Sequence, residues 1–375
     1  MVYDFIVVGA GIAGASAAYG LAGNARVCLI EGKARAGYHA TSRSAALFAP
    51  TYGGREIRAL TRASRSFFDR PPDGFCEQPL LLPRGCLYIS RPDQHQALRE
   101  MVEGIRATGG TVTYTDRDDA FARVPSLRRE YVAEAAYDFD AMDINVDGLH
   151  QSFLRGARAA GATLMTNSPV TKVERHNGVW HVKLGDSDIS APVLINAAGA
   201  WADELAQICG ARRIGLQPLR RTALLVDGPP GVDVRTWPAV IDVEEQFYFK
   251  PDAGKLLLSP ADETPSSPGD AYPEELDVAI AVDRVQAALD IDIQRVSHSW
   301  AGLRTFTADR APVVGFDTHI PDFFWCAGQG GYGIQTAPAM SAVVAALAKR
   351  ESLPAHVFRE GLTEEDLSPR RLLPG

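Results

Sequence analysis

The sequence predicts an α/β fold in which two domains are interleaved along the chain. Three observations predict it. The chain opens with a strand, a helix and a second strand; a buried strand of the same kind returns near residue 193; and buried strands with a long helix return after residue 300. The 375 residues are enough for one large or two medium domains with a sizeable buried core.

The first segments have the pattern of a βαβ unit. Residues 5–8 form a fully apolar run ended by glycine, which is typical of a buried parallel strand. Residues 14–21 are rich in alanine and predict a tightly packed helix. Residues 27–30 predict a second strand that ends at Glu31.

The middle of the chain adds β-rich material. We expect a helix over residues 148–160 with Asp147 as its N-cap, and a hairpin turn at Asn177 and Gly178. Residues 193–195 predict another buried strand, residues 216–259 a β-rich block, and residues 261–273 a surface loop. Residues 80–137 have a mixed pattern that predicts no definite topology.

Composition excludes several classes of protein. A net charge of −8 argues against nucleic acid as the main partner. The five cysteines are scattered and have no metal-ligand spacing, so we expect neither a disulfide framework nor a metal site, and a reducing, cytoplasmic location. No apolar run reaches the roughly 20 residues that span a membrane.

A glycine motif connects the first strand to the first helix. Gly9 permits a tight turn, Gly11 lets the backbone approach a pyrophosphate, and Gly14 lets helix and strand pack closely. Glu31 follows about 20 residues later, where an acid binds ribose hydroxyls. The combination predicts dinucleotide binding and does not separate NAD from FAD, so a NAD-dependent dehydrogenase stays an alternative here.

Two further segments carry cofactor-type chemistry. Residues 39–46 combine hydroxyls, one guanidinium and small side chains, a composition that suits a pyrophosphate and a flat ring, or equally a solvated loop. Residues 328–333 are rich in glycine, and Ile334 begins a helix. Such a helix N-terminus would stabilise negative charge on a ring placed before it, unless the glycines form only a hinge.

These segments together resemble the D-amino-acid oxidase superfamily of FAD-dependent oxidoreductases. The glycine motif, residues 41–45, the GxRxxTxDxxPxxG-like stretch over 302–315 and the stretch over 323–338 with its glycine-rich turn carry the resemblance. It implies a Rossmann-type FAD-binding domain over residues 1–79, 143–214 and 300–375. It also implies an α+β, antiparallel-sheet substrate-binding domain over residues 80–142 and 215–299.

The resemblance implies the FAD contacts residue by residue. They are Gly9, Gly11, Ala13, Gly14, Glu31, Gly32, Thr41, Ser42, Arg43, Ser44, Ala45, Val170, Gly199, Gly330, Gly331, Tyr332, Gly333, Ile334 and Gln335. Some relatives attach the flavin through a cysteine in the arginine-bearing signature. Residues 302–304 contain none, so we expect non-covalent FAD.

The resemblance also implies a clamp for a substrate carboxylate. Arg221 and Arg304 would bind it, Tyr248 would add a hydroxyl donor, and Tyr52 would lie on a lid. From the residues alone, Arg221 could equally form a surface ion pair and Tyr52 could be an ordinary surface aromatic. Arg304 lies between apolar strand residues and therefore needs a buried partner or a ligand.

Within the superfamily, residues 37–39, 67–69, 247–254 and 329–336 resemble bacterial D-arginine dehydrogenases. Those enzymes have histidine, threonine and glutamate where this chain has Leu47, Ala49 and Cys86. All three differences remove polarity from the substrate side-chain pocket. We therefore expect a neutral or apolar D-amino acid rather than D-arginine.

The implied reaction is oxidation of a D-amino acid to the 2-oxo acid and ammonia, with hydride transfer from Cα to flavin N5. The alternatives are a secondary amine of the sarcosine type, a 2-hydroxy acid, or an FAD-bound regulatory protein without turnover. The partners would be a small amino acid and an electron acceptor, either oxygen or a quinone-like carrier.

Overall fold

The computed structural model describes residues 1–185 and 187–372. The strands within these residues are β1 (Phe5–Val8), β2 (Val27–Ile30), β3 (Leu47–Phe48), β4 (Leu81–Pro83), β5 (Cys86–Ser90), β6 (Thr113–Thr115), β7 (Glu134–Asp138), β8 (Met142–Ile144), β9 (Thr163–Met165), β10 (Lys172–His176), β11 (Val179–Leu184), β12 (Ser187–Ala191), β13 (Val193–Asn196), β14 (Gln217–Val226), β15 (Ala239–Asp242), β16 (Tyr248–Asp252), β17 (Lys255–Ser259), β18 (Thr264–Pro265), β19 (Val296–Phe306), β20 (Val313–Phe316) and β21 (Phe323–Ala327).

The helices of the described residues are α1 (Ile12–Ala22), α2 (Arg55–Asp69), α3 (His95–Arg106), α4 (Arg117–Arg123), α5 (Val146–Ala159), α6 (Ala202–Ile208), α7 (Glu275–Ala288), α8 (Gly333–Ala348), α9 (Ala355–Phe358) and α10 (Glu364–Leu367). None of these helices has the length and apolar character needed to cross a membrane.

A six-stranded sheet in the order β20-β21-β13-β1-β2-β9 holds the predicted βαβ unit. Its central strands pair in parallel, and every residue of β1 and β2 is buried because helices or a second sheet cover both faces. The carboxyl ends of β1, β2 and β13 therefore meet at one edge of the sheet, where a ligand of an open α/β sheet binds.

A nine-stranded sheet holds the β-rich segments, and nearly all of its pairs are antiparallel. Its longest pairing joins β14 to β19, with Arg221 opposite Gly302 and Leu219 opposite Arg304. Because alternate residues of a strand share a face, Arg304 lies on the same face as Gly302 and hence diagonally next to Arg221. The mixed α/β class is thus confirmed.

The helix predicted over residues 148–160 starts earlier than expected. Asn145, and not Asp147, is the N-cap: its side chain accepts a hydrogen bond from the Gly148 amide, and α5 begins at Val146. The hairpin is confirmed, since β10 and β11 pair across Asn177 and Gly178, which both have positive φ.

The predicted division into domains stays a prediction. The predicted boundary at residue 300 falls inside β19, which pairs along its length with β14. Residues 186 and 373–375 of the predicted FAD-binding segments lie outside the described residues.

Candidate functional site

A cavity of about 660 Å³ lies between the carboxyl edge of the six-stranded sheet and one face of the nine-stranded sheet. Most of the residues predicted to contact a cofactor line it. They are Gly9, Gly11, Ala13, Glu31, Gly32, Thr41, Arg43, Ser44, Ala45, Val170, Gly199, Gly330, Gly331, Gly333 and Ile334. Three of the four predicted catalytic residues, Arg221, Tyr248 and Arg304, also line it.

The turn between β1 and α1 requires its glycines. Gly9 has a φ of +102°, and a Cβ atom there would lie 2.4 Å from the Ala197 carbonyl oxygen. A Cβ atom on Gly14 would lie 1.7 Å from the Gly9 carbonyl oxygen. Gly11 caps α1 without a side-chain hydrogen bond of its own; Thr41 accepts from the Ile12 amide, and the start of the helix at Gly11 and Ala13 lines the cavity, where its dipole favours an anion.

Glu31 stabilises the same turn from the end of β2. Its carboxylate accepts hydrogen bonds from the Ala10 amide at 3.1 Å and the Lys33 amide at 2.9 Å. A carboxylate has about four acceptor positions, so both oxygens can still accept from ribose hydroxyls. Glu31 therefore both holds the glycine turn and presents acceptors to the cavity.

The segment over residues 39–45 adds one side of the cavity. Thr41 accepts a hydrogen bond from the Ile12 amide at 3.0 Å, which fixes the segment to the start of α1. Arg43 lines the cavity, but its guanidinium pairs with Asp270 and donates to the carbonyls of Ala271 and Ala301. Phosphate binding would thus fall mainly to backbone amides. Ser42 is exposed and donates to nearby carbonyls.

The second glycine turn precedes α8. The Gly330 amide donates to the Thr305 carbonyl at 2.9 Å, which ties the turn to β19. A Cβ atom on Gly331 would lie 2.8 Å from Nη1 of Arg304. Tyr332 and Gln335 do not line the cavity; Gln335 is buried and accepts a hydrogen bond from the Ala49 amide at 3.1 Å.

These features fit a dinucleotide with a flat ring system. Two helix N-termini and two glycine turns face one cavity whose volume is in the range of ligand sites. His39, which also lines the cavity, has a buried Nδ1 atom without a hydrogen-bond partner among the described residues. A buried polar atom of this kind is expected where a ligand supplies the missing partner.

Arg304 is the cation that stands out at the other end of the cavity. It has no hydrogen-bond or salt-bridge partner among the described residues. Burial is the largest influence on its pKa and lowers it, but the surrounding Tyr248, Tyr52 and Tyr332 hydroxyls and Glu263 raise that pKa overall. Arg304 therefore stays cationic beside the second glycine turn.

Arg221 lies on the same face but is engaged. It is buried, with Nε donating to the Asp262 carbonyl at 2.7 Å and Nη2 donating to a Glu263 oxygen at 3.1 Å. The alternative of a surface ion pair for Arg221 is confirmed in part, since the ion pair with Glu263 exists but the Arg221 side chain is buried. Tyr248, at the start of β16, lines the cavity next to these two arginines.

Tyr52 lies beside the site rather than in its lining. Its ring packs against Tyr332 with 5.4 Å between centroids, and its hydroxyl donates to Glu245 at 2.9 Å. Burial raises the pKa of Tyr52 well above its usual value, and Glu245 adds to this rise. Tyr52 is thus a neutral hydrogen-bond donor that lies beside the site, between Tyr332 and Glu245.

The predicted side-chain pocket is not part of the cavity. Leu47, Ala49 and Cys86 meet in one apolar cluster, as expected, but they are packed together and none lines the cavity. Cys86 is fully buried directly opposite Asp138 on β7, and burial raises the pKa of both groups. Asp138 was missed because residues 80–137 gave no strand register.

The fold and the cavity define a dinucleotide-binding protein, and comparison with known proteins identifies the class further. The family described as FAD dependent oxidoreductase matches residues 4–347, so the chain belongs to that family. It is accordingly an FAD-dependent oxidoreductase, and its cofactor is FAD. The resemblance found in the sequence is confirmed at this level.

Individual relatives are distant but full-length. The hydrogen cyanide synthase subunit HcnC of Pseudomonas aeruginosa is 23% identical over 94% of this chain and 94% of its own. The structure of glycine oxidase from Geobacillus kaustophilus has a TM-score of 0.83 at 22% identity, covering 94% of this chain and 95% of that one. An FAD-bound L-alpha-glycerophosphate oxidase from Mycoplasma pneumoniae has a TM-score of 0.82 at 16% identity, covering 94% and 96%. These comparisons support the family and not specifically the likeness to D-arginine dehydrogenases.

Proposed function

We propose that this chain oxidises the Cα–N bond of a D-amino acid with a neutral or apolar side chain, giving the 2-oxo acid and ammonia. The observation that carries the proposal is the guanidinium of Arg304, which has no partner among the residues that the structure describes, lies beside the second glycine turn and is within electrostatic reach of Tyr248. A partly buried arginine without a partner is suited to bind a planar carboxylate by two hydrogen bonds.

In this proposal the chain positions the substrate. Arg304 binds the carboxylate, the Tyr248 hydroxyl donates to it, and Arg221 adds a third donor on the same face. FAD, when bound, accepts the two electrons as hydride from Cα. The amide groups at the start of α8 face the cavity and favour negative charge there. The substrate reacts as the neutral amine, and no side chain is required as a base because positioning supplies most of the rate.

The selectivity for an uncharged side chain is supported by the cavity lining: among the described residues that line the cavity, the acids are Glu31 and Glu204, and neither belongs to the nine-stranded sheet that carries the clamp. Leu47, Ala49 and Cys86 do not line the cavity, and the acid opposite Cys86 is Asp138. Asp138 is fully buried and already accepts from Thr51 and the Asp140 amide. We therefore expect D-arginine and D-lysine to be poorer substrates than D-alanine or D-methionine.

A second candidate is an amine of the glycine or sarcosine type. The names of two relatives favour it: glycine oxidase of Geobacillus kaustophilus and dimethylglycine dehydrogenase of Mus musculus, the latter 26% identical over 56% of this chain. The same carboxylate clamp would hold such a substrate, since glycine and sarcosine keep the carboxylate; they differ in lacking a side chain on Cα, and sarcosine also carries a methyl group on nitrogen. A 2-hydroxy acid is the remaining alternative that the clamp would accept.

An anaerobic screen separates these candidates. The purified flavoprotein is mixed with D-amino acids, their L-enantiomers, glycine, sarcosine and 2-hydroxy acids, and bleaching of the flavin absorbance is followed. We expect the fastest bleaching with a neutral D-amino acid. Bleaching by sarcosine or a hydroxy acid alone would overturn the first proposal, and bleaching by none would indicate a protein without this turnover. Readmission of air then distinguishes oxygen from a quinone-like carrier as the electron acceptor.

A further inference from the structure

Glu263 forms an unusual ion-pair arrangement next to the proposed carboxylate clamp. It lies on the surface loop that follows β17, with its side chain 35% exposed. One of its oxygens accepts from Nη2 of Arg221 at 3.1 Å and also from Arg310 at 2.7 Å. Its other oxygen accepts from Arg310 at 3.0 Å. A single protein carboxylate therefore joins an arginine of the cavity lining to an arginine at the surface.

The two arginines hold Glu263 in different ways. Arg310 grips both oxygens of the carboxylate, while Arg221 contacts one. Arg310 also packs on an aromatic ring, with its guanidinium 4.0 Å from the centroid of Phe306. Glu263 can thus give up its bond to Arg221 and keep two bonds to Arg310, so exchange at Arg221 costs only one hydrogen bond.

We infer that Glu263 is a specificity-determining residue, an internal carboxylate that competes with the substrate carboxylate for Arg221 and disfavours substrates that carry a second carboxylate. This inference rests on the proposed function. The competition follows because Nε and Nη2 of the buried Arg221 are already engaged, so a substrate carboxylate that takes both terminal nitrogens must displace Glu263 from Nη2. The discrimination follows because the charge of Glu263 lies beside the site and repels a second negative group.

The test compares three variants in the flavin-loaded protein. Glu263→Gln keeps the shape and removes the charge, so the KM of the best amino acid should fall about 3- to 10-fold while kcat stays within about twofold. Binding of acetate and malonate, followed by the change in flavin absorbance without turnover, should tighten as well, and more for malonate. Arg310→Gln breaks the same ion pair but leaves the carboxylate with Arg221, so KM should rise.

The double variant isolates the cause. If Arg310 acts through Glu263, then Arg310→Gln should have little effect on KM in the Glu263→Gln background. An unchanged or higher KM in Glu263→Gln, with acetate binding no tighter, would overturn the inference. Arg304→Ala is measured in parallel: if that variant keeps normal KM and turnover, the carboxylate clamp itself has failed rather than the role of Glu263.

Discussion

The guanidinium of Arg304 occupies the space beside Gly331 that a side chain at that position would need. A Cβ atom on Gly331 would lie 2.8 Å from Nη1 and 3.1 Å from Cζ of Arg304, although the backbone of Gly331 has no positive φ. The residue proposed to bind the substrate carboxylate and the turn proposed to contact the flavin are therefore adjacent. The strand β19 connects them, because Arg304 lies on β19 and the next residue, Thr305, pairs with Gly330 of the turn. This proximity connects carboxylate binding to the geometry of the reaction.

Gly331→Ala should displace the Arg304 guanidinium by several tenths of an ångström without straining the backbone. Because small errors in position are costly when a carbon must meet a fixed acceptor, kcat/KM should fall at least about tenfold with FAD still bound. Steady-state kinetics and the visible spectrum measure both effects. Gly104→Ala is the control, since a Cβ atom there meets nothing within 4 Å, and it should leave kinetics unchanged. Equal kinetics for both variants would show that this proximity does not matter.

The glycine motif and Arg304 could be predicted from the sequence because each belongs to a short, local pattern. Gly9, Gly14 and Glu31 meet within one βαβ unit, and Arg304 belongs to the GxRxxTxDxxPxxG-like stretch on β19, which a bridge between Thr305 and Gly330 connects to the second glycine turn. The residue types at these positions follow from the short patterns, although the atoms that lie beside them come from distant segments, such as the Ala197 carbonyl beside Gly9. Local sequence was sufficient for this part of the site.

The rest depended on pairings between distant segments. Whether Cys86 faces the cavity is decided by the register of β5 with β7, and the register places it against Asp138 inside a packed cluster. The bond between Glu263 and Arg221 joins a loop to a strand 42 residues away. The N-cap of α5 was misassigned for a local reason, since Asn145 and Asp147 are both good capping residues.

His150 gives the protein a pH-dependent contribution to stability. It is buried on α5, and its Nε2 atom lies 2.9 Å from the Ala10 carbonyl oxygen, so Nε2 must carry the proton and donate it to the glycine turn. Burial lowers the pKa of His150 below its usual 6.5. As the pH falls, the unfolded chain therefore binds a proton at this histidine at a higher pH than the folded protein does. The contribution of neutral His150 to the free energy of unfolding is fully present above pH 6.5 and is lost progressively below it.

Comparing wild type with His150→Gln over a range of pH measures this contribution. The wild type should have the higher Tm at about pH 8, and the difference should shrink toward about pH 5.5 as the buried imidazole becomes costly. The other histidines whose pKa is lowered, His39 and His356, are present in both proteins and so cancel in the comparison. A difference in Tm that stays constant over this range would contradict the assignment.

The purified protein should release free FAD on heat or acid denaturation. The residues 302–304 contain no cysteine, and no cysteine lines the cavity in the part of the chain that the structure describes. The supernatant of the precipitated protein should therefore contain all of the flavin, with the absorbance and fluorescence of free FAD. Flavin that remains with the pellet after washing would indicate a covalent bond elsewhere.

The central claim is that Arg304 anchors the substrate carboxylate, and replacement of this one residue tests it most directly. Arg304→Lys keeps the charge but loses the two-point fork, so the substrate can rotate and Cα moves away from the flavin. We predict a loss of at least about two orders of magnitude in kcat/KM, roughly 2.7 kcal/mol, with FAD and fold retained, and a larger loss for Arg304→Ala. The measurement is steady-state kinetics with the best amino acid, with visible spectra to confirm bound flavin. Near-normal kcat/KM in Arg304→Ala with flavin bound would contradict the account.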